Sequence, residues 1–215
     1  MQVTGIGVGI DRRGQRADAA LAANTDGDGS RRIEVGFSPE GSAQKLVLST
    51  IDAATSSIRV AAYVFTSPDV TRALIAAKQR GVDVAVIADY RSNLEDQRSG
   101  AGRHALTLLA KAGIPTRTIK VYPIHHDKFM VVDGMAVETG SFNLTAAAAK
   151  SNSENALVVW NDPALAETYH NTSEFLRTFV HPSHCSEIPS TEPTWECLKA
   201  ESPSSPVAPQ ELAVE

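Results

Sequence analysis

Two nearly continuous apolar runs, at residues 58–65 and 82–89, flank a stretch that opens on Pro68-Asp69 and stops at Gly81. An uninterrupted apolar run of this length suits a strand covered on both faces. Between the runs, Val70, Leu74, Ile75 and Ala77 recur at helical spacing. Proline in the first turn and glycine just past the last one mark that helix's ends. Strand, helix, strand in this order commits the chain to an α/β layered fold.

The rest of the chain extends the pattern. Residues 33–37 read as a short strand. Gly41 and Ser42 open a helix whose inner face is Leu46, Val47 and Ile51. A third helix over 103–111 stops at Gly113, and 114–120 leads back into the sheet. Residues 129–132 and 135–138 are strand-like and separated by Asp133-Gly134, the strongest short-range signal of a hairpin. A strand over 155–160 and a helix over 163–179 complete the body. A hairpin added to a strand–helix–strand unit predicts a mixed sheet flanked by helices on both faces.

Composition divides the chain of 215 residues into three parts. Residues 1–32 are rich in Gly, Asp and Ala without periodicity and are expected to be flexible. Residues 33–180 hold the alternating pattern and form one domain. Residues 181–215 are rich in Pro, Ser and Glu and are expected to be a disordered tail. The formal net charge of −5 belongs to the end of the chain. Residues 171–215 carry seven acids against Arg177 and Lys199, whereas residues 33–170 are nearly neutral, with 14 acids and 13 bases. Global acidity therefore says little about the working surface, where local charge governs encounter. Cys185 and Cys197 are too few for a disulfide framework or a zinc site, and their pairing is left open. No run approaches the roughly 18 apolar residues of a membrane-spanning helix.

The hairpin brings polar residues together. With Asp133-Gly134 as a two-residue turn, Val132 faces Met135, Lys128 faces Thr139 and His126 faces Ser141, with Asn143 next in line. Residues two apart on a strand share a face. Imidazole, ammonium, hydroxyl and amide thus converge, a set suited to attacking a phosphorus atom and holding its oxygens.

His126-Asp127-Lys128 through Asp133 fits H-x-K-x4-D, and Gly140-Ser141-Phe142-Asn143 follows at a fixed offset, with Ser153-Glu154-Asn155 downstream. About 1 in 100 chains of this length would carry the first motif by chance, so the pairing with the second makes the signal specific. The chain resembles the phospholipase D superfamily on these residues. From about Val35 to Thr168 it is similar to that family's small, single-motif bacterial endonucleases.

The resemblance implies one phospholipase D-type catalytic domain over 33–180. It makes His126 the nucleophile that forms a phosphohistidine, and Lys128 and Asn143 the holders of the non-bridging oxygens. Ser141 adds a hydrogen bond, Glu154 orients the imidazole, and Asp133 belongs to the motif. The place of Asp133 before Gly134 also makes it a natural turn residue, and that structural role is the stronger expectation. The chemistry wants two histidines, and family members with one motif bring them together in a two-fold homodimer with a shared site. His125-His126-Asp127 invites a metal reading, but adjacent strand residues point to opposite faces. Neither metal nor other cofactor is expected. Arg91, Arg98 and Arg103, on or beside a Gly/Ser-containing surface loop expected over 90–102, are candidate contacts to a nucleic-acid backbone.

Three functions compete. The first is a nonspecific, metal-independent endonuclease cutting DNA, with RNA as a further candidate substrate. The second is a lipid phosphodiesterase using the same residues; against it stands the lack of any amphipathic or aromatic membrane-docking stretch, and no stable membrane association is expected. The third is a non-catalytic nucleic-acid-binding module, disfavoured because every motif residue is present. Arg12, Arg13 and Arg16 are followed by no apolar block, so no signal peptide is visible. That points to the cytoplasm by default, while the resemblance leaves periplasm or secretion open.

Overall fold

The computed structural model describes residues 30–96 and 99–179. The expectations for the two chain ends, for Arg98 and for Cys185 and Cys197 fall outside the described residues. In chain order the elements begin β1 (Arg32–Ser38), α1 (Ser42–Ala53), β2 (Ser57–Ala62), α2 (Pro68–Gln79) and β3 (Asp83–Asp89). A π-helical turn (Arg91–Glu95), α3 (Ala101–Lys111) and β4 (Thr116–Ile119) follow. The chain continues with β5 (Lys128–Val132), β6 (Ala136–Gly140), α4 (Ala146–Lys150), β7 (Glu154–Trp160) and α5 (Pro163–Phe179).

The strands form one seven-stranded sheet in the order β1-β7-β6-β5-β2-β3-β4. β2, β3 and β4 run parallel to one another, as strand–helix–strand crossovers require, and the remaining pairs, β2 with β5 included, are antiparallel. The sheet is mixed, as expected. Helices α1, α2 and α3 lie on one face over a core that includes Leu46, Ile58, Leu74, Leu106, Leu109 and Met130, all but sealed from water. Burying each such side chain contributes about 1.5–3 kcal/mol. On the other face Ala166 and Tyr169 of α5 pack against Ala61, Phe129, Val131 and Val137.

Local chemistry explains the boundaries. The Ser67 hydroxyl accepts the Val70 N–H at 3.3 Å to cap α2, with Pro68 in its first turn. Thr145 caps α4 by accepting the Ala148 N–H at 3.0 Å. This helix of five residues was not expected; it is too short to show a period.

The hairpin departs from expectation by one residue. Asp133 (φ 54°) and Gly134 (φ 64°) both adopt the left-handed conformation of the anticipated turn, closed by the Met135 N–H donating to the Val132 carbonyl at 3.0 Å. The ladder resumes only at Ala136, which pairs with Val132. Met135 is therefore an extra residue, 44% exposed, whose carbonyl accepts the Asp162 N–H at 2.9 Å. A one-residue slip moves every partner to the opposite face. Thr139 accordingly stands opposite Phe129, on the α5 side, instead of facing Lys128.

Candidate active site

His126 sits on the extended segment that leads into β5, and Lys128 is the first residue of that strand. The imidazole is exposed and rests against the Tyr63 ring, with centroids 4.5 Å apart and planes tilted by 56°. Tyr63 follows the end of β2, whose Ala62 pairs with Lys128. The Lys128 ammonium lies 3.3 Å from each ring nitrogen of His126 and donates to the His126 carbonyl at 3.0 Å. It also lies 5.1 Å over the Tyr63 ring. Partial burial lowers the Lys128 pKa below the ordinary ammonium value, while the Glu154 and Asp127 carboxylates work to raise it.

Neighbouring residues alternate as a strand demands. His125 is 2% exposed, its Nδ1 3.3 Å from the Asp127 carboxylate, and its Nε2 has no partner. Burial lowers its pKa against the opposing pull of Asp127 and Asp89. The two adjacent histidines thus serve different surroundings, and among the described residues no group of three His, Cys, Asp or Glu side chains is placed to hold a metal.

Gly140 ends β6, and a Cβ there would come within 2.3 Å of the Asn155 carbonyl oxygen, so only glycine allows this approach. That carbonyl accepts both the Ser141 and Phe142 N–H groups at 3.1 Å. The Ser141 hydroxyl in turn accepts the Asn155 backbone N–H at 3.0 Å, so Ser141 braces β6 to β7. Asn143 follows, flanked by Phe142 and Leu144, both of which share a closed crevice with Lys128 and Tyr63. The Asn143 Oδ1 is buried without a hydrogen-bond partner. An acceptor of this kind is complemented by a donor, so Asn143 meets an anion only by turning its amide N–H group toward it. Glu154 opens β7; its carboxylate accepts the Asn152 amide at 3.0 Å and acts on Lys128, with no bond to the His126 ring.

Asp133 lies at the far end of β5. Its carboxylate accepts five hydrogen bonds, from Thr55 N and Oγ1, Ser56 N and Oγ, and Ser57 N, tying the hairpin turn to the start of β2. The strand between it and Lys128 spans about 16 Å at the usual rise of 3.3 Å per residue. Asp133 therefore does not reach the site.

Of the candidate arginines, Arg91 is exposed with its Nε 3.9 Å from the Glu95 carboxylate. Arg103 is exposed on α3 and donates to the Leu94 carbonyl at 3.2 Å. Neither lines the cleft beside His126, and the segment expected to be an open loop begins as the helical turn from Arg91 to Glu95.

That cleft, about 500 Å³ in volume, is open to solvent and runs from His126 and Lys128 past Thr139 to Thr168, Tyr169 and Thr172 of α5. Two buried residues not singled out from the sequence support it. Asp89, 2% exposed, accepts the Ser92 N–H at 2.7 Å and the His125 N–H at 2.8 Å, joining the end of β3 to the approach to His126. Asn93 donates to the Tyr63 and Asp89 carbonyls at 2.8 and 2.7 Å and accepts the Phe65 N–H at 2.8 Å. Asn93 thereby fixes the turn that holds Tyr63 under His126. A polar residue ending the apolar run 82–89 was the available signal for Asp89. Directly before the site, Val121, Tyr122 and Ile124 are 56, 41 and 53% exposed. No membrane-docking stretch was expected; these three exposed side chains weaken that objection to a lipid substrate.

The chain is similar to known proteins in sequence and fold. Residues 47–177 match the family described as cardiolipin synthase, PLD-like domain. A phospholipase D from Rickettsia felis is 39% identical over 138 residues, covering 64% of this chain and 66% of that protein. The mitochondrial cardiolipin hydrolase of Xenopus laevis is 33% identical over 139 residues, covering 65 and 63%. The chain thus spans about two thirds of the length of the curated relatives it matches. The crystal structure of a phospholipase D family member, Nuc from Salmonella typhimurium, is 50% identical with a TM-score of 0.66, covering 69% of this chain and 95% of that one. NucT from Helicobacter pylori, 21% identical with a TM-score of 0.61 and coverage of 69 and 97%, shares the fold.

Proposed function

The chain belongs to the phospholipase D superfamily, in its small Nuc-like branch, and on that premise we propose that it is a metal-independent endonuclease working as a homodimer. The observation that carries the reading is the exposed His126 imidazole with the Lys128 ammonium 3.3 Å from both its nitrogens, on the wall of an open cleft.

An imidazole nitrogen attacks phosphorus in line with the leaving oxygen, and a phosphohistidine forms as the P–O bond breaks. Lys128, with the Asn143 amide turned toward the anion, offsets charge on the non-bridging oxygens. A second imidazole gives a proton to the departing alkoxide and then takes one from the water that releases His126. Among the described residues His126 is the only histidine lining the cleft. The second imidazole is therefore assigned to His126 of another copy across a two-fold axis.

Nucleic acid is favoured over lipid by the breadth of the similarity to the Nuc protein and by the cleft's lining. Thr139, Thr168 and Thr172 suit a sugar–phosphate chain better than acyl tails. The lipid reading is kept as the alternative because relatives are named phospholipase D and cardiolipin hydrolase, and because Val121, Tyr122 and Ile124, just before His126 in the chain, are exposed. Purified protein is incubated with plasmid DNA, RNA and phosphatidylcholine vesicles, each with a strong chelator. Cleavage of nucleic acid that survives chelation and vanishes in His126→Ala is the expected result. Cleavage of vesicles alone transfers the assignment to lipid, and loss of all activity on chelation removes the covalent route.

A further inference from the structure

Glu138, on β6, is 4% exposed, and its ladder partners are Met130 of β5 and Val158 of β7, both fully buried. Among the described residues no cation forms a salt bridge with it. Buried Asp89 differs, since its carboxylate carries two backbone N–H bonds. A buried carboxyl without such support is costly and calls for a physical reason.

The register supplies one. Lys128 lies two residues from Met130 on the same face, which makes it the diagonal neighbour of Glu138, about 7–8 Å away and within reach of long side chains. Both line one closed crevice with Ala62, Tyr63, Phe142 and Leu144, and the crevice leaves no room for a water molecule. Lys128 and Tyr63 are the other titratable groups on its walls; the remaining lining is apolar. Glu154 and Asp127 act on the same ammonium.

We propose that Glu138 is a positioning residue for the phosphodiesterase site: as the neutral acid beneath Lys128 it leaves the ammonium free to hold the substrate phosphate, and on ionising it draws that charge away. The proton lost goes to solvent, and the carboxylate left behind competes with the phosphate for one cation. Burial pushes the Glu138 carboxyl up to about 8, so the neutral form prevails at neutral pH. The consequence for activity rests on the function proposed above.

The test compares the full chain with Glu138→Gln, which keeps the side chain's shape and removes its ionisation. Affinity for sulfate, whose charge is constant across this range, is measured from pH 6 to about pH 9.5, together with kcat and KM on a chromogenic phosphodiester. In the unsubstituted protein sulfate affinity and kcat/KM are expected to fall about tenfold per pH unit above the Glu138 pKa. In Glu138→Gln that fall is absent. The infrared band of a protonated carboxyl follows ionisation without any need for turnover. It is expected to disappear near pH 8 in the parent and to be missing from the variant.

An alkaline fall equally present in the variant overturns the proposal, as does a band already lost at pH 5–6. A parent that cleaves no phosphodiester yet shows the pH-dependent sulfate binding defeats the enzymatic reading and leaves Glu138 acting on Lys128. A parent that cleaves nucleic acid with no change between pH 7 and 9 does the reverse.

Discussion

Replacing Asp133 with alanine removes an acceptor that takes hydrogen bonds from Thr55 N, Thr55 Oγ1, Ser56 N, Ser56 Oγ and Ser57 N, at 2.8–2.9 Å. Thr55 and Ser56 are exposed and Ser57 is half-buried, so the freed donors can recover water. Each bond is then worth about 0.5–1 kcal/mol net, near the low end of the usual range, and the group about 3 kcal/mol. Alanine must also hold φ near 54°, a left-handed conformation that costs it roughly 1 kcal/mol more. A loss of about 4 kcal/mol lowers Tm by on the order of 10 °C in a domain of this size. Asparagine tolerates the left-handed conformation and keeps one acceptor oxygen, so Asp133→Asn should lose about half as much.

Thermal unfolding followed by circular dichroism, with kcat measured well below the lower Tm, separates stability from chemistry. Both variants are expected to retain kcat within about threefold, since the carboxylate sits a strand's length from His126. Partial burial works to raise the Asp133 pKa. The backbone N–H bonds from Ser57, Ser56 and Thr55 together outweigh it and hold the carboxyl well below the usual carboxylate range. A depressed pKa stabilises the fold at neutral pH, and that contribution is lost as pH falls below about 3.8, the unfolded value. The gap in Tm between parent and Asp133→Asn should therefore narrow in acid. An unchanged Tm with kcat reduced more than about 100-fold, or some 2.7 kcal/mol, would show that Asp133 acts in the reaction.

Three further outcomes are expected of the same fold. Gly140→Ala places a Cβ 2.3 Å from the Asn155 carbonyl oxygen; it should force β6 from β7, lower Tm and reduce activity at least 100-fold, as measured by melting and plasmid nicking. Glu138→Gln should stabilise the fold, because an acid raised from 4.5 to about 8 costs stability progressively as pH rises between those values. The gain is nil near pH 4.5 and about 3 kcal/mol at pH 7, read by denaturant titration at several pH values. Light scattering should give the mass of two chains at concentrations where activity is full; a fully active monomer refutes the shared site.

The alternation of His126 with His125 and of Lys128 with Asp127 was legible because a strand has a period of two, and the mixed sheet because apolar runs and helical spacings name their own elements. The register was not. An Asp-Gly pair specifies the conformation of two residues but not where the ladder resumes, and Met135 is held out of it by Asp162, a residue 27 positions later. The Glu138 side chain shows the price of that slip. Counted from a two-residue turn it falls on the face opposite Lys128, whereas the actual pairing with Met130 puts both over one crevice. The sequence marked Asp89 only as a polar residue ending an apolar run and did not mark Asn93, since their partners are backbone groups at residues 63, 65, 92 and 125.

The spacing within H-x-K-x4-D acquires a physical meaning from these contacts. β5 runs from Lys128 to Val132, so the four residues between lysine and aspartate are the remainder of one strand. Phe129 and Val131 face α5, and Met130 and Val132 face the opposite core. Lengthening or shortening this interval by one residue would turn Lys128 to the other face or pull Asp133 from its five donors. On the proposed function, the motif joins two separate requirements at opposite ends of a strand: an imidazole and ammonium to meet an anion, and a carboxylate that holds the strand in register so they can. Insertion of one alanine between Met130 and Val131 should abolish activity by misplacing Lys128 even where the chain still folds. An active insertion variant would mean that the register of β5 does not govern the site.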